Sequence, residues 1–185
     1  FICFSPDKGS LFDVIFHPEI LIPLERISCR RGVVVVLVES RSNKDDVDAR
    51  FQILNAIHTM MQALDDGDAT LFAEQFVEHG KLRVKANGIC VSGRESLGNF
   101  LTKLHQKFRG CTHWEGNVVL KVVGPREIRN RSYWKCLGPD GSVQSIGVHE
   151  DTFVRSARTS REWKCLERVI LHKDSKTGGW RSATP

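Results

Sequence analysis

The sequence predicts one α+β domain behind an N-terminal extension, on three observations. Apolar residues recur at three- and four-residue steps as far as Phe108, they alternate with period two from Cys111 onward, and the helical part precedes the strands. Helices and strands in separate runs mark α+β architecture, whereas interleaved ones would mark a parallel α/β sheet.

The elements follow in chain order. Residues 1–48 form the extension, in which Pro6, Pro18 and Pro23 punctuate short apolar pieces and only the valine-rich run 33–38 has strand character. The chain opens on Phe1 rather than Met, so it reads as a fragment or processed product. Asp45, Asp46 and Asp48 suit the positive end of a helix, and Phe51, Leu54, Ile57, Met61 and Leu64 then trace one stripe of a long first helix. Gly67 suits the left-handed residue that ends it, and Asp68 caps a shorter second helix carrying Leu71, Phe72, Phe76 and Val77. Asp65 and Asp66 sit against the dipole of the first helix, an effect of roughly 0.3–1 kcal/mol, so they either serve the turn or do chemistry.

Residues 81–91 read as a strand or hairpin turning at Asn87-Gly88. Ser92-Gly-Arg-Glu95 has capping-box spacing and announces a third helix, with Leu97, Phe100, Leu101, Leu104 and Phe108 on one face and Gly110 closing it. Strands are expected at 112–123, 127–137, 143–155 and 162–172, forming an antiparallel meander with turns at Gly124-Pro125, Gly138-Pro-Asp-Gly141 and the polar stretch 156–161. By parity Ser145, Gly147, His149, Asp151 and Phe153 share one face of their strand. In the strand before it, Arg129, Arg131, Tyr133 and Lys135 oppose Ile128, Asn130, Ser132, Trp134 and Cys136. Residues 174–185 read as a tail outside the domain.

Composition narrows the function. The net charge is +5, with 7 Lys/Arg against 8 Asp/Glu in residues 1–50, so the excess lies in the globular part. The basic residues are scattered, which fits a solvated surface better than a nucleic-acid site. No apolar run approaches the roughly 20 residues of a membrane helix. The six cysteines lack metal-ligand or disulfide spacing and read as reduced thiols, so a cytoplasmic protein without metal or organic cofactor is expected; Cys111-Thr-His113 alone is too weak a metal signal.

The order of elements, with Ala63-Leu-Asp65-Asp-Gly-Asp68, Ser92-Gly-Arg-Glu95, Thr112-His113, Arg131-Ser-Tyr133, Gly147-x-x-x-Asp151-x-Phe153 and Trp163-x4-Arg168, resembles the SnoaL-like branch of the nuclear-transport-factor-2-like superfamily over residues 49–173. The resemblance implies a cone, in which a curved antiparallel sheet wraps three N-terminal helices around one pocket, in a homodimer. Members include polyketide cyclases, scytalone dehydratase and steroid isomerases as well as many non-enzymes. It also implies that Asp65 and His113 meet in the pocket, matching the helix-end aspartate and the histidine that follows the third helix.

The chemistry of such a pair is acid-base. An imidazole takes a proton from carbon beside a carbonyl, while a carboxylate on its other nitrogen fixes the tautomer and stabilises the imidazolium. Tyr133 or Arg131 would stabilise the enolate oxygen. Met61, Trp114, His149, Asp151 and Phe153 are the candidate contacts to a small apolar or polycyclic ligand. The chain departs from dehydratase-like members in carrying Met60 where they have tyrosine, and His149 where an aromatic is common. The alternative to a lyase, isomerase or cyclase is therefore a non-catalytic ligand-binding or dimerisation module. Residue by residue, Asp65 also reads as a turn former, His149 with Asp151 as a polar dyad or as partners of Arg129 or Arg131, and Trp134 and Trp163 as core or dimer-face fillers.

Overall fold

A computed structural model describes residues 27–30, 33–36, 43–155, 162–174 and 178–181. The chain divides into two compact units, Phe1–Asn43 and Lys44–Pro185. In the first, β1 (Ile27–Arg30) pairs antiparallel with β2 (Val33–Val36), so part of the valine run expected as a strand forms one arm of a hairpin.

The second unit begins with α1 (Asn43–Asp66). Ile53, Ile57, Met60, Met61 and Leu64 are buried along it, with Ala49, Ala56 and Ala63 filling closer approaches. The expected stripe is shifted at its start, because Phe51 is 71% exposed. Gly67 ends the helix at φ +74°, and the Asp68 N–H closes a six-residue ring on the Ala63 carbonyl, the Schellman geometry that a left-handed residue permits. Asp68 caps α2 (Ala69–Glu74), its carboxylate accepting from the Leu71 N–H at 2.9 Å. That helix is shorter than expected: Phe76 and Val77 open β3 (Phe76–Val84), where Phe76 is fully buried. Large β-favouring side chains gain more here from the sheet than from another helical turn.

β4 (Ile89–Ser92) returns alongside β3 after the Asn87-Gly88 turn. The expected capping box does not form: Ser92 pairs with Lys81 in the ladder, and Gly93, at φ +86°, occupies the N-cap of α3 (Arg94–Lys107) without a side-chain bond. Leu97 and Leu101 are the buried face of α3.

The long strands are β5 (Thr112–Gly124), β6 (Glu127–Leu137), β7 (Val143–Arg155) and β8 (Trp163–Lys173). The turn expected at 156–161 lies outside the described residues. The sheet runs in the order β4-β3-β8-β7-β6-β5 and is curved and mixed, since β3 joins β8 in parallel instead of extending an all-antiparallel meander. Part of the expected tail belongs to the sheet as well: β9 (Trp180–Arg181) pairs with the end of β8. Helices cover the concave face, and the core between them joins Ile53, Ile57, Met60, Phe76, Leu97, Leu101, Ile128, Phe153 and Trp163.

Two irregularities decide which side chains face that core. In β5 the register slips between Gly116 and Val119, with Asn117 at φ +51°, so His113 and Glu115 point inward before the slip and Val118 and Leu120 after it. In β8 the register slips opposite Thr152 and Phe153, so Cys165 and Arg168, three apart, are both buried. An extra residue reverses alternation, and without it one of each pair would face solvent.

Candidate functional site

A cavity of about 410 Å³ opens between α3, the end of α1 and the concave face of the sheet. Its walls are apolar, built by Met61, Leu64, Phe72, Leu82, Phe100, Leu104 and Ile170, while the exposed Lys103, Lys107 and Asn87 stand at the rim. Apolar walls with a few convergent polar groups are the usual make-up of a small-molecule site.

The first polar group is His113. Its Nδ1 stands 2.6 Å from Oδ1 of Asp65, and its backbone N–H also donates to that carboxylate, at 2.9 and 3.1 Å to the two oxygens. These contacts supply the donors that a carboxylate opposing the α1 dipole needs. The ring is 10% exposed, lines the cavity and lies edge-on to Phe108 at 6.2 Å. With the carboxylate on Nδ1, the proton resides there and Nε2 is the nitrogen left with a lone pair.

The second group is a buried polar cluster on β5–β8, of which His149 and Arg168 line the cavity. Arg168, 1% exposed, forms a two-pronged ion pair with Asp151, Nε to Oδ1 at 2.8 Å and Nη2 to Oδ2 at 2.9 Å. Asn130 donates to Asp151 at 2.9 Å and to Ser132 at 3.0 Å. Ser132 donates to Glu115, whose Oε1 also lies 3.6 Å from Arg168 Nη2 and 3.1 Å from His149 Nδ1. Burial pushes the Glu115 carboxyl up, but Arg168, His149 and Ser132 together outweigh it and hold the group at about 2. Burial, reinforced by Arg168, holds His149 below its ordinary value against the opposing pull of Glu115 and Asp151, so the ring is neutral. Arg168 is held above its ordinary value, Asp151 and Glu115 overcoming the cost of burial. Trp134 stacks on His149 at 5.5 Å and 17°, and His172 meets the same indole edge-on.

The structure thus brings Asp65 and His113 together, and places Met61 and His149 on the same cavity. Other expected residues go elsewhere. Arg131 and Tyr133 are turned to the outer face of β6, whose inner face takes Asn130, Ser132, Trp134 and Cys136; Tyr133 is 44% exposed and packs on Trp180. Trp114 is outward too, 58% exposed under Lys135, because its neighbours His113 and Glu115 take the inward positions. Phe153 is buried in the core, and Asp151 stands behind Arg168, not in a dyad with His149. Trp163 fills the core as expected, but Trp134 lines the cavity. Sequence reasoning missed Arg168, which lines the cavity, and Glu115, which stands beside it; parity with His113 is the available signal for Glu115. Among the described residues no group of three or more His, Cys, Asp or Glu is clustered for a metal ion, and no helix is long and apolar enough to cross a membrane.

The sequence pattern of the SnoaL-like domain matches residues 45–181, and the chain belongs to that family, within the nuclear-transport-factor-2-like superfamily. Comparison with curated proteins finds no match. Solved structures with the same fold include a nuclear-transport-factor-2-like protein with a cystatin-like fold from Novosphingobium aromaticivorans, 20% identical, TM-score 0.62, covering 71% of this chain and 86% of its own. ActVI-ORFA from Streptomyces coelicolor is 22% identical, TM-score 0.58, covering 68% and 96%. The hexachlorocyclohexane dehydrochlorinase LinA-type3 from Novosphingobium barchaimii is 16% identical, TM-score 0.63, covering 72% and 92%.

Proposed function

We propose that this SnoaL-like chain binds a small apolar or polycyclic carbonyl compound and removes a proton from carbon beside the carbonyl. The reaction class is lyase, isomerase or cyclase. The observation that carries the reading is the 2.6 Å contact between Asp65 and His113 at the wall of an apolar cavity. Nε2 of His113 takes the proton, and Asp65 stabilises the imidazolium without leaving its place. With Arg131 and Tyr133 on the outer face, the donors on cavity-lining side chains include Lys103 and Lys107 at the rim and, deeper, Arg168 and Trp134, whose Nη1 and Nε1 are buried without a hydrogen-bond partner. That a hexachlorocyclohexane dehydrochlorinase shares the fold is compatible with elimination, but its identity supports the fold alone.

The test is deuterium exchange at the carbon next to the carbonyl of 1-tetralone, followed by NMR. Wild type should exceed solvent exchange, and His113→Ala should lose roughly 10²–10⁴ of the rate, the usual worth of a positioned base. Unchanged exchange in the variant removes His113 as the base.

A second reading, a non-catalytic ligand-binding or dimerisation module, is favoured by Met60, which is fully buried in the core where dehydratase-like members carry a phenol. It expects ligand binding with no exchange above solvent. A homodimer through the outer sheet face is part of either reading, supported by exposed Trp114, Val119, Tyr133 and Ile146. A monomer at micromolar concentration in sedimentation equilibrium would exclude it.

A further inference from the structure

The charged residues that line the cavity are of one sign: Lys103, Lys107 and Arg168 line it, and no Asp or Glu does. The three cations are not equivalent. Arg168 is 1% exposed, and its charge is answered by Asp151 at 2.8 and 2.9 Å and by Glu115 at 3.6 Å. Lys103 and Lys107 are exposed at the mouth, and neither has an ion-pair partner among the described residues.

The helix that carries the two lysines supplies no counter-charge. The acid of α3 is Glu95, in its first turn, while Asn99 and Phe100, one turn before Lys103, are uncharged. Lys103 and Lys107 are themselves four residues apart on one face, the spacing at which like charges destabilise a helix by roughly 0.2–0.5 kcal/mol. The helix dipole accounts for Lys107, which lies in the last turn with its Nζ 5.4 Å from the centre of the Phe108 ring. It does not account for Lys103, a turn earlier. The remaining polar group at the mouth is a donor as well: Asn87, in the turn between β3 and β4, accepts the Ile89 N–H on Oδ1 at 3.3 Å, which leaves its amide nitrogen to donate. Apolar walls with donors and unopposed cations at the mouth fit an amphiphile that enters apolar end first.

We propose that Lys103 and Lys107 form an anion-binding mouth, so that the cavity takes a ligand whose apolar body carries a carboxylate at its outer end. The carboxylate meets both ammonium groups, with the Asn87 amide as a further donor, and relieves the repulsion between them. The inference rests on the small-molecule reading of this cavity, whose substrate class it narrows, and not on His113 acting as a base.

Calorimetric titration of the full chain with 4-(1-naphthyl)butanoate, its primary amide and 4-(1-naphthyl)butylamine tests it. At low salt the carboxylate should bind about tenfold more tightly than the amide, the combined effect of two partly solvated ion pairs, and the amine should bind most weakly. Salt at about 0.5 M should shrink the margin in wild type, because charges at the mouth are screened. Lys103→Gln with Lys107→Gln should bring carboxylate and amide to equal affinity with the amide unchanged, and Lys103→Glu with Lys107→Glu should reverse the order in favour of the amine. Equal affinities in wild type, a margin indifferent to salt, a margin that survives the double glutamine variant, or binding of none of the three overturns the proposal. The tetralone exchange reports separately: its absence with the carboxylate margin intact removes the base and leaves this inference standing, and exchange without the margin removes this inference alone.

Discussion

Acid should destabilise this protein through Glu115, buried beside Arg168 and His149. Glu115 has an ordinary value of 4.5 and is held at about 2 in the folded chain. A lowered carboxyl contributes stability that is complete above 4.5, where both folded and unfolded chains are deprotonated, and is lost as pH falls toward 2, because the unfolded chain takes up the proton first. The interval is roughly 2.5 units, and at about 1.4 kcal/mol per unit the loss is about 3 kcal/mol. His149 adds a loss that begins earlier. Its folded value lies below 6.5, so the unfolded chain gains a proton as pH drops through 6.5 while burial, with Arg168 beside it, keeps the folded ring neutral against the pull of Glu115 and Asp151. Urea unfolding from pH 7 to pH 3, wild type against Glu115→Gln, measures the effect. The variant should be less stable at pH 7, since Arg168, Ser132 and His149 lose their anion, and its stability should fall less steeply below pH 4.5. Parallel curves for the two proteins would refute the assignment of the acid loss to Glu115.

Other perturbations have equally definite outcomes. Arg168→Met leaves Asp151 and Glu115 buried without their cation and should cost about 3–5 kcal/mol in urea unfolding, the penalty for breaking a buried ion pair by removing one partner. Gly147→Ala drives a methyl into the Leu171 carbonyl of the neighbouring strand and into Trp134, and should cost about 1–3 kcal/mol or more, with a changed near-ultraviolet dichroism from the displaced indole. Asp68→Ala removes the bond to the Leu71 N–H and should cost about 1 kcal/mol while leaving ligand affinity unaltered.

Where the chain obeys one period, its structure was legible. The stripe that ends in Leu64, the face of α3 and the four long strands follow from spacing alone, and Gly67 with Asp68 announced the turn that joins the first two helices. Strand parity also separated the two faces of β6 and β7 correctly, but both faces carry polar and aromatic residues, so parity could not say which looks inward. Parity alone therefore offers Arg131 and Tyr133 to the site as readily as Asn130, Ser132 and Trp134, which hold the inner face. Arg168 stayed hidden for a different reason: the slip in β8 reverses the alternation and no proline or glycine marks it, whereas Glu115 precedes the slip in β5 and shares the parity of His113. Phe76 and Val77 read as helical in the sequence because a short apolar run has no period of its own, and only the parallel partner β8 makes them a strand. The meeting of Asp65 with His113, 48 positions apart, needed family resemblance to foresee.

Asp65 grips both the ring and the backbone of His113, while His105 on α3 reaches the neighbouring Leu64 carbonyl at 3.0 Å. The imidazole is therefore latched to the last turn of α1 and cannot swing unless that turn lets go. Tightening or relaxing the way α1 stops, at Gly67 against the His105 ring, re-aims the latch from outside the cavity. Evolution can retune such a protein by editing a hinge without altering any group that meets the ligand.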